Sequence, residues 1–461
     1  MNVIVISIDS LRYDHIGACG NDWIKTPFLD QFLARAATFD RMYVGSYPTL
    51  PNRLDLFLGK TTFPYYGWDP LPTDETTLAE VLTANGYVTQ MIYDTPHMTS
   101  AGRNFERGFL GWEWIRGQEG DTYRTDDMAY EWPAPKGKLR GRPGTEYQHT
   151  YAQYMRNTRK FTKETDFFAA KVFSTAMDWL DDNRGHDKFF LWIDSFDPHE
   201  PFAPPPPFDT MYDPGYKGDV MPHPHYGHVK KLYSQRELKN IHARYAGEVT
   251  FVDRWFGMFM QKAAALGLLD DTMVILCADH GFYFGEHGLI GKPYNRWQAD
   301  SGDLYEEILR QPFAILHPDG LGWGKRFKQL ALPADVRPTI LECLGVDEPA
   351  PGDGMSLAPL LRGEVKKHRS YVVSGRPLQP RWGVNPNTIT TDRWSLIHNP
   401  GDPEADRLYD LRTDPQQQKN VIRDNAKVAD RLRASFMEFL EQGGYDMEKL
   451  AAFWEVPEPN A

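Results

Sequence analysis

The sequence predicts an α/β fold: a doubly wound, mostly parallel central sheet flanked by helices, followed by a smaller C-terminal antiparallel-sheet subdomain. Three observations predict it. The runs "VIVISI" (3–8), "FFLWI" (189–193) and "TMVILC" (272–277) are continuously apolar, as strands buried on both faces of a parallel sheet are. Helical patterns separate them. After "SLAPLLRGE" (356–364) the pattern breaks into short β-prone runs, "SYVVSG", "NTITTD" and "WSLIHN", and ends in a helix.

The elements follow in order. The first strand ends at Asp9, the second runs into Asp194 and the Pro-bounded "DPHEP" (197–201), and the third runs into "ADHG" (278–281). Between the first two, "DETTLAEVLTANGY" sets Leu78, Val81 and Leu82 on one helical face, with Gly86 as its stop. Ile241, Tyr245, Val249, Val252, Phe256 and Phe259 predict a long helix over 239–266 before Gly267. Open α/β sheets bind ligands outside the carboxyl ends of their strands, so the three polar clusters are expected together. "GWEWIRGQEGD" (111–121) reads as an elaborate loop within a substrate-shaping insert over 97–170, and "FAPPPPFDTMYDPGY" (202–216) as an extended segment. The division expected is a catalytic domain over 1–365 and a subdomain over 366–461.

Composition narrows the partners. A formal net charge of −12 argues against nucleic acid or an anionic membrane surface, both of which need clustered Lys and Arg. A small anionic substrate is expected instead, and a homo-oligomer is allowed. The three cysteines, Cys19, Cys277 and Cys343, are too few and too scattered for a disulfide framework or a zinc site. The apolar run at residues 3–8 meets a carboxylate by residue 9, too short for a signal-peptide core or a membrane span. These features predict a cytoplasmic protein.

Asp9, Asp279 and His280 stand at the ends of two strands about 270 residues apart, a spacing the doubly wound fold can close. Two carboxylates and one imidazole suit one divalent ion, with Mg, Mn, Ca and Zn all compatible. Asp279 and His280 seen alone could equally cap the following helix. In "SYPTLPNRLDLFLGK" (46–60), Thr49, Pro51 and Arg53 precede a short apolar helix pattern, and alone they could equally form a structural turn.

Together these segments resemble the sulfatase branch of the alkaline phosphatase superfamily. The resemblance rests on "IDSLRYDHIGACGN", "PTLPNRLDLFLGK", "TLAEVLTANGYVTQMI", "DPHEPF", "VDRWFG", "CADHGFYFGEHGLIGK", "LYEEILRQPF" and "LYDLRTDP", which run in the family's order along nearly the whole chain. It implies metal ligation by Asp9, Asp279 and His280, and Thr49 as a metal-touching nucleophile supported by Arg53. It also implies His199 near the transferred group and Lys292 as the family's lysine. His287 and the Tyr93 to Thr95 stretch are weaker correspondences.

Two departures bear on function. Ser10 stands where many relatives carry a second aspartate ligand, which resembles the single-metal phosphonate monoester hydrolase and phosphodiesterase subgroup; it could also be a helix N-cap. Thr49 stands where sulfatases convert Cys or Ser into formylglycine, and threonine cannot give that aldehyde. A covalent ester on Thr49 then has no second hydroxyl to expel the group, so water must attack the group itself. That step is ordinary for phosphoryl and phosphonyl groups and harder for sulfuryl. The sequence therefore favours a hydrolase of phosphate diesters or phosphonate monoesters. The alternatives are a sulfuric ester hydrolase working without formylglycine on an aryl or carbohydrate sulfate, and a non-catalytic binding protein that kept the fold.

Overall fold

The computed structural model describes residues 1–141, 149–292, 302–378 and 383–454. Parts of the expected insert (142–148) and of the expected C-terminal subdomain (379–382 and 455–461) therefore lie outside the described residues. Two compact units emerge. One comprises Met1–Thr38, Ala79–Lys292 and Pro312–Arg326; the other comprises Phe39–Leu78, Pro293–Gln311 and Phe327–Ala461, so far as these are described. This grouping cuts the chain differently from a single break at 365, because segments 39–78 and 302–311 join the C-terminal part.

The first unit is built on a large sheet with strands β1 (Asn2–Ile8), β2 (Ala37–Phe39), β3 (Val88–Tyr93), β4 (Gly111–Trp114), β5 (Phe189–Ser195), β6 (Thr272–Ala278), β7 (Phe313–Leu316) and β8 (Arg326–Phe327), in the order β8-β2-β7-β6-β1-β5-β3-β4. β1 pairs in parallel with both β5 and β6, and β3 in parallel with β5 and β4. β7 runs antiparallel to β6 and β2. All seven residues of β1, β5 and β6 are buried, as their unbroken apolar composition requires of central strands. β4 corrects the expectation of a loop from residue 111: "GWEW" is a short edge strand with Trp112 half-exposed. An edge strand is half-solvated and lacks the continuous apolar signal of a central one.

Helices α1 (Pro27–Arg35), α3 (Phe168–Asn183) and α4 (Gln235–Ala265) pack in the first unit's core with the apolar stripe predicted for 239–266, including Ile241, Val249, Val252, Phe256 and Phe259. α4 starts in a reciprocal cap: the Ser234 hydroxyl accepts from the Glu237 N–H, and Glu237 accepts from the Ser234 N–H. It stops before Gly267, whose φ of +72° suits a left-handed exit. Asp253 in "VDRWFG" reaches from α4 to the start of α1, accepting from the N–H of Leu29 at 2.7 Å and of Phe28 at 3.1 Å. That satisfies orphan donors of α1. The Pro-rich run departs from an extended path: Phe208 N–H bonds Pro205 O at 2.9 Å, closing a turn.

The second unit holds a four-stranded antiparallel sheet, β9 (Tyr371–Ser374), β10 (Asn387–Thr391), β11 (Trp394–His398) and β12 (Arg407–Asp410), in that order. Helix α5 (Ala426–Gln442) covers one face with Ala429, Leu432, Phe436 and Leu440, against Val373, Ile389, Leu396 and Leu408. Helix α2 (Thr49–Leu58) also belongs to this unit and is buried over its whole length. Among the described residues, no helix is long and apolar enough to cross a membrane.

Candidate active site

Strand register places the first three residues. Ile8 pairs with Ala278 on parallel neighbours, so the next residues, Asp9 and Asp279, leave the sheet side by side. One donor atom from each of Asp9, Asp279 and His280 lies within 4.8 Å of the others, and all three residues are buried. Ser10 adopts φ +58°, an unusual conformation for a non-glycine residue. Its N–H donates to Asp279 Oδ1 at 2.9 Å and its hydroxyl to Asp9 Oδ1 at 2.8 Å. Ser10 thus orients both carboxylates, and the helical turn that follows takes Arg12, not Ser10, as its N-cap.

His280 is preset as a ligand. Its Nδ1 lies 3.0 Å from Gly281 O, and a carbonyl only accepts, so Nδ1 carries the proton. In the neutral ring Nε2 is then left with a lone pair, and it faces Asp279 Oδ2 at 3.5 Å. Lone pairs that converge in this way suit a cation between them. The oxygen-rich donor set with one imidazole fits a divalent metal ion.

The same unit holds His199 and Lys292, joined by a residue that sequence reasoning missed. Glu200 is fully buried; its Oε2 lies 3.2 Å from Lys292 Nζ and 3.3 Å from His199 Nδ1. Its Oε1 meets Arg140 at 3.2 Å and accepts from the Tyr226 hydroxyl. His199 Nδ1 donates to Glu200 O at 2.6 Å, and its ring stacks on Phe196 with centroids 3.9 Å apart. Burial, then the Lys292 ammonium, pushes His199 well below the usual imidazole range. Its neutral form therefore presents Nε2 as an acceptor. Lys292 also approaches the Ser10 hydroxyl at 3.4 Å, which ties it to the carboxylate pair. The signal for Glu200 lay inside the Pro-bounded "DPHEP", next to His199.

In the second unit, α2 explains the Thr-x-Pro-x-Arg spacing. Thr49 opens the helix and Arg53 stands one turn later, so the two share a face. Arg53, with none of its surface exposed, donates from Nη1 to Thr49 O at 3.1 Å. Pro51 falls in the first turn, where a missing N–H leaves no helical bond unmade. Asp55 anchors the approach: Oδ2 accepts from Ser46 N–H at 2.7 Å, and Oδ1 accepts from the Thr62 N–H and hydroxyl, each at 2.7 Å. Burial pushes its carboxyl up to about 7 despite those donors. Gly45 is required there, since a Cβ would lie 2.5 Å from Asp55 Oδ2.

The weaker correspondences have local partners. Thr95 donates to Asp194 Oδ1 at 2.6 Å, and the Tyr93 hydroxyl bonds that of Thr99. His287 sits in the turn Glu286–Gly288 at φ +56°, its ring edge-on to Tyr283. Asp197, which also lies in "DPHEP", accepts from the Ala169 N–H at the start of α3 and from Gln118 Nε2.

With this geometry in view, the chain was compared with known proteins. The family described as "Sulfatase" matches residues 1–346, and "N-sulphoglucosamine sulphohydrolase, C-terminal" matches 285–442. An arylsulfatase of Clostridium perfringens is 23% identical over 458 residues, spanning 91% of this chain and 90% of its own. A multifunctional alkaline phosphatase superfamily protein of Trinickia caryophylli is 27% identical over 511 residues, spanning 93% and 92%. The crystal structure of the phosphonate monoester hydrolase of Agrobacterium radiobacter superposes with a TM-score of 0.73 at 20% identity, covering 96% of each chain. The matched stretch includes β1, α2, β5 and β6 and, with them, Asp9, Thr49, Arg53, His199, Asp279, His280 and Lys292. This chain belongs to the sulfatase family of the alkaline phosphatase superfamily and is an ester hydrolase.

Proposed function

We propose that the protein hydrolyses phosphate diesters or phosphonate monoesters with Thr49 as its nucleophile. The observation that carries this is the residue at the head of α2: a threonine, nearly buried, with Arg53 folded back on its turn. A threonine hydroxyl cannot become formylglycine, and the ester it forms is discharged by water attacking the transferred group. Phosphorus accepts that second attack readily.

A divalent ion held by Asp9, Asp279 and His280, with Thr49 as a further ligand, would supply Lewis-acid stabilisation of negative charge. The chain's own groups do the rest. Thr49 Oγ1 attacks phosphorus and the P–O bond to the leaving alcohol breaks; Arg53 and Lys292 carry cationic donors for the oxygens that gain charge. His199 works at Nε2, since Nδ1 is committed to Glu200 O: it takes the proton Thr49 gives up as the O–P bond forms and delivers it to the oxygen of the departing alcohol. General acid–base help of this kind contributes about 10²–10⁴ in rate.

The test is a matched panel of aryl phosphonate monoesters, phosphate diesters and aryl sulfates, assayed with added Mg, Mn, Ca or Zn. Phosphonate or diester turnover should exceed sulfate turnover, and peptide mass spectrometry of quenched reactions should find Thr49 carrying the phosphonyl group of a phosphonate, or the phosphate monoester group left by a diester. Thr49→Ala should lose at least 10³-fold while Thr49→Ser keeps measurable activity. Sulfate release outpacing phosphorus chemistry, with no adduct on Thr49, would replace this reading with a sulfuric ester hydrolase.

A further inference from the structure

Tyr245 belongs to the apolar stripe of α4, yet its hydroxyl reaches the tip of β1. The residue is fully buried, its ring edge-on to Phe202 with centroids 5.5 Å apart and tilted against Phe284 at 4.7 Å. Packing on two sides fixes the direction of the phenol. Its hydroxyl donates to Ser10 O at 2.8 Å and accepts from the Arg12 N–H at 3.1 Å, so one oxygen closes the backbone of residues 10–12 into a turn. Burial pushes the phenol above its usual range, which keeps the donated proton in place.

At this turn the chain leaves the sheet for the carboxylate pair. The Asp9 N–H still bonds Ser195 O at 2.8 Å, and Ser10 is the first residue beyond it. Ser10 stands at φ +58°, a conformation whose cost for a residue with a Cβ has to be met by its surroundings. In that conformation its N–H reaches Asp279 Oδ1 at 2.9 Å and its hydroxyl reaches Asp9 Oδ1 at 2.8 Å. A return to negative φ would turn the side chain and carbonyl about the N–Cα bond by about 120° relative to the N–H, and the two bonds could not both survive. The carbonyl that Tyr245 holds lies across that bond from the N–H, so the phenol acts on this torsion directly.

We propose that Tyr245 is a positioning residue for the metal site: its hydroxyl holds Ser10 in the left-handed conformation that aligns the Asp9 and Asp279 carboxylates before an ion arrives. Tyr245 acts through Ser10 and ligates nothing itself. The inference rests on the site formed by Asp9, Asp279 and His280, and is independent of Thr49 and of the group transferred. Without the hydroxyl, Ser10 relaxes toward negative φ in the metal-free protein, only a fraction of the molecules keep the binding-competent turn, and the apparent affinity for the ion falls by that fraction. Phenylalanine in place of Tyr245 keeps the ring and its packing, so the fold persists while the tether is lost. Glycine at position 10 adopts positive φ without the cost that a Cβ brings, which makes the tether redundant.

The test measures Mn²⁺ affinity, by electron paramagnetic resonance of the free ion, on metal-stripped wild type, Tyr245→Phe, Ser10→Gly, the double variant and Asp279→Asn. Tyr245→Phe should bind Mn²⁺ about 10–100-fold more weakly than wild type, the range for losing an outer partner of a metal site. In the Ser10→Gly background the same substitution should cost about twofold at most, a non-additivity that marks action through Ser10. The unfolding midpoint of each metal-free protein is read alongside. A lower midpoint for Tyr245→Phe with Mn²⁺ affinity within about twofold of wild type would make the residue a packing element and overturn the proposal, as would an equal loss of affinity in both backgrounds. Asp279→Asn separates the two levels of the argument. Affinity that falls in Asp279→Asn and holds in Tyr245→Phe fails the proposal alone; a wild type that binds Mn²⁺ no more tightly than Asp279→Asn fails the metal site itself, and the proposal with it.

Discussion

Glu200→Gln is the sharpest probe of the site's electrostatics. The substitution keeps the shape and removes the charge. Lys292, 3% exposed, loses the anion 3.2 Å away, and a carboxamide nitrogen takes the place of one acceptor. At that distance, with an effective dielectric near 20, the Coulomb term is about 5 kcal/mol. Breaking a buried pair by removing one partner costs about 3–5 kcal/mol. The Arg140 contact adds little, because its guanidinium is one-third exposed and solvent screens it. At about 2 °C per kcal/mol for a large domain, the midpoint of thermal unfolding should fall by about 6–10 °C. Because Glu200 positions both Lys292 and His199, kcat/KM on an aryl phosphonate should fall by at least 10²-fold, with kcat carrying more of the loss than KM. Scanning calorimetry and steady-state kinetics at pH 7.5 read both. A midpoint within 1 °C of wild type and kcat/KM within twofold would show that Glu200 does not hold these groups.

Two further outcomes are expected. Asp279→Asn and His280→Ala should each lose at least tenfold in affinity for divalent metal, seen as reduced metal content after dialysis and a smaller thermal shift on adding metal. Asp55 predicts a pH dependence: its folded value is raised to about 7, so in the window from about 4 to 7 the folded chain keeps a proton that the unfolded chain has lost. Stability from this group is full below that window and is lost as pH rises through 7, by at most about 1.4 kcal/mol per unit. The difference in urea midpoint between wild type and Asp55→Asn, followed from pH 4 to 8, should reveal that slope, and a flat difference would contradict it.

What the sequence made legible depends on how each signal is encoded. β1, β5 and β6 are continuous apolar runs, and their polar ends stand out by contrast, so Asp9, Asp279 and His280 could be named before their proximity was known. α4 was visible through its helical stripe and its exit at Gly267. β2 and β8, three and two residues long, carry no periodicity to detect. Glu200 was hidden because its importance comes from partners at positions 140, 226 and 292, and no local pattern reports such convergence. Asp197 and Asp253 show the reverse case: acids inside family-like motifs that serve as helix caps. The grouping of 39–78 with the C-terminal part was equally beyond local reading, since compactness is a property of contacts between distant segments.

The pairing of Ile8 with Ala278 has a consequence for how the chelating pair tolerates change. Its spacing is ruled by a ladder of backbone hydrogen bonds, so it inherits the stiffness of the sheet and has little of a loop's freedom to adapt. Inserting one residue between Val3 and Ser7 would turn the tip of β1 by half a pleat and send the Asp9 carboxylate to the opposite side, even if every rung of the ladder reformed. The grip on a cation is in this sense a matter of counting residues along a strand, and repacking the neighbouring loops cannot restore it.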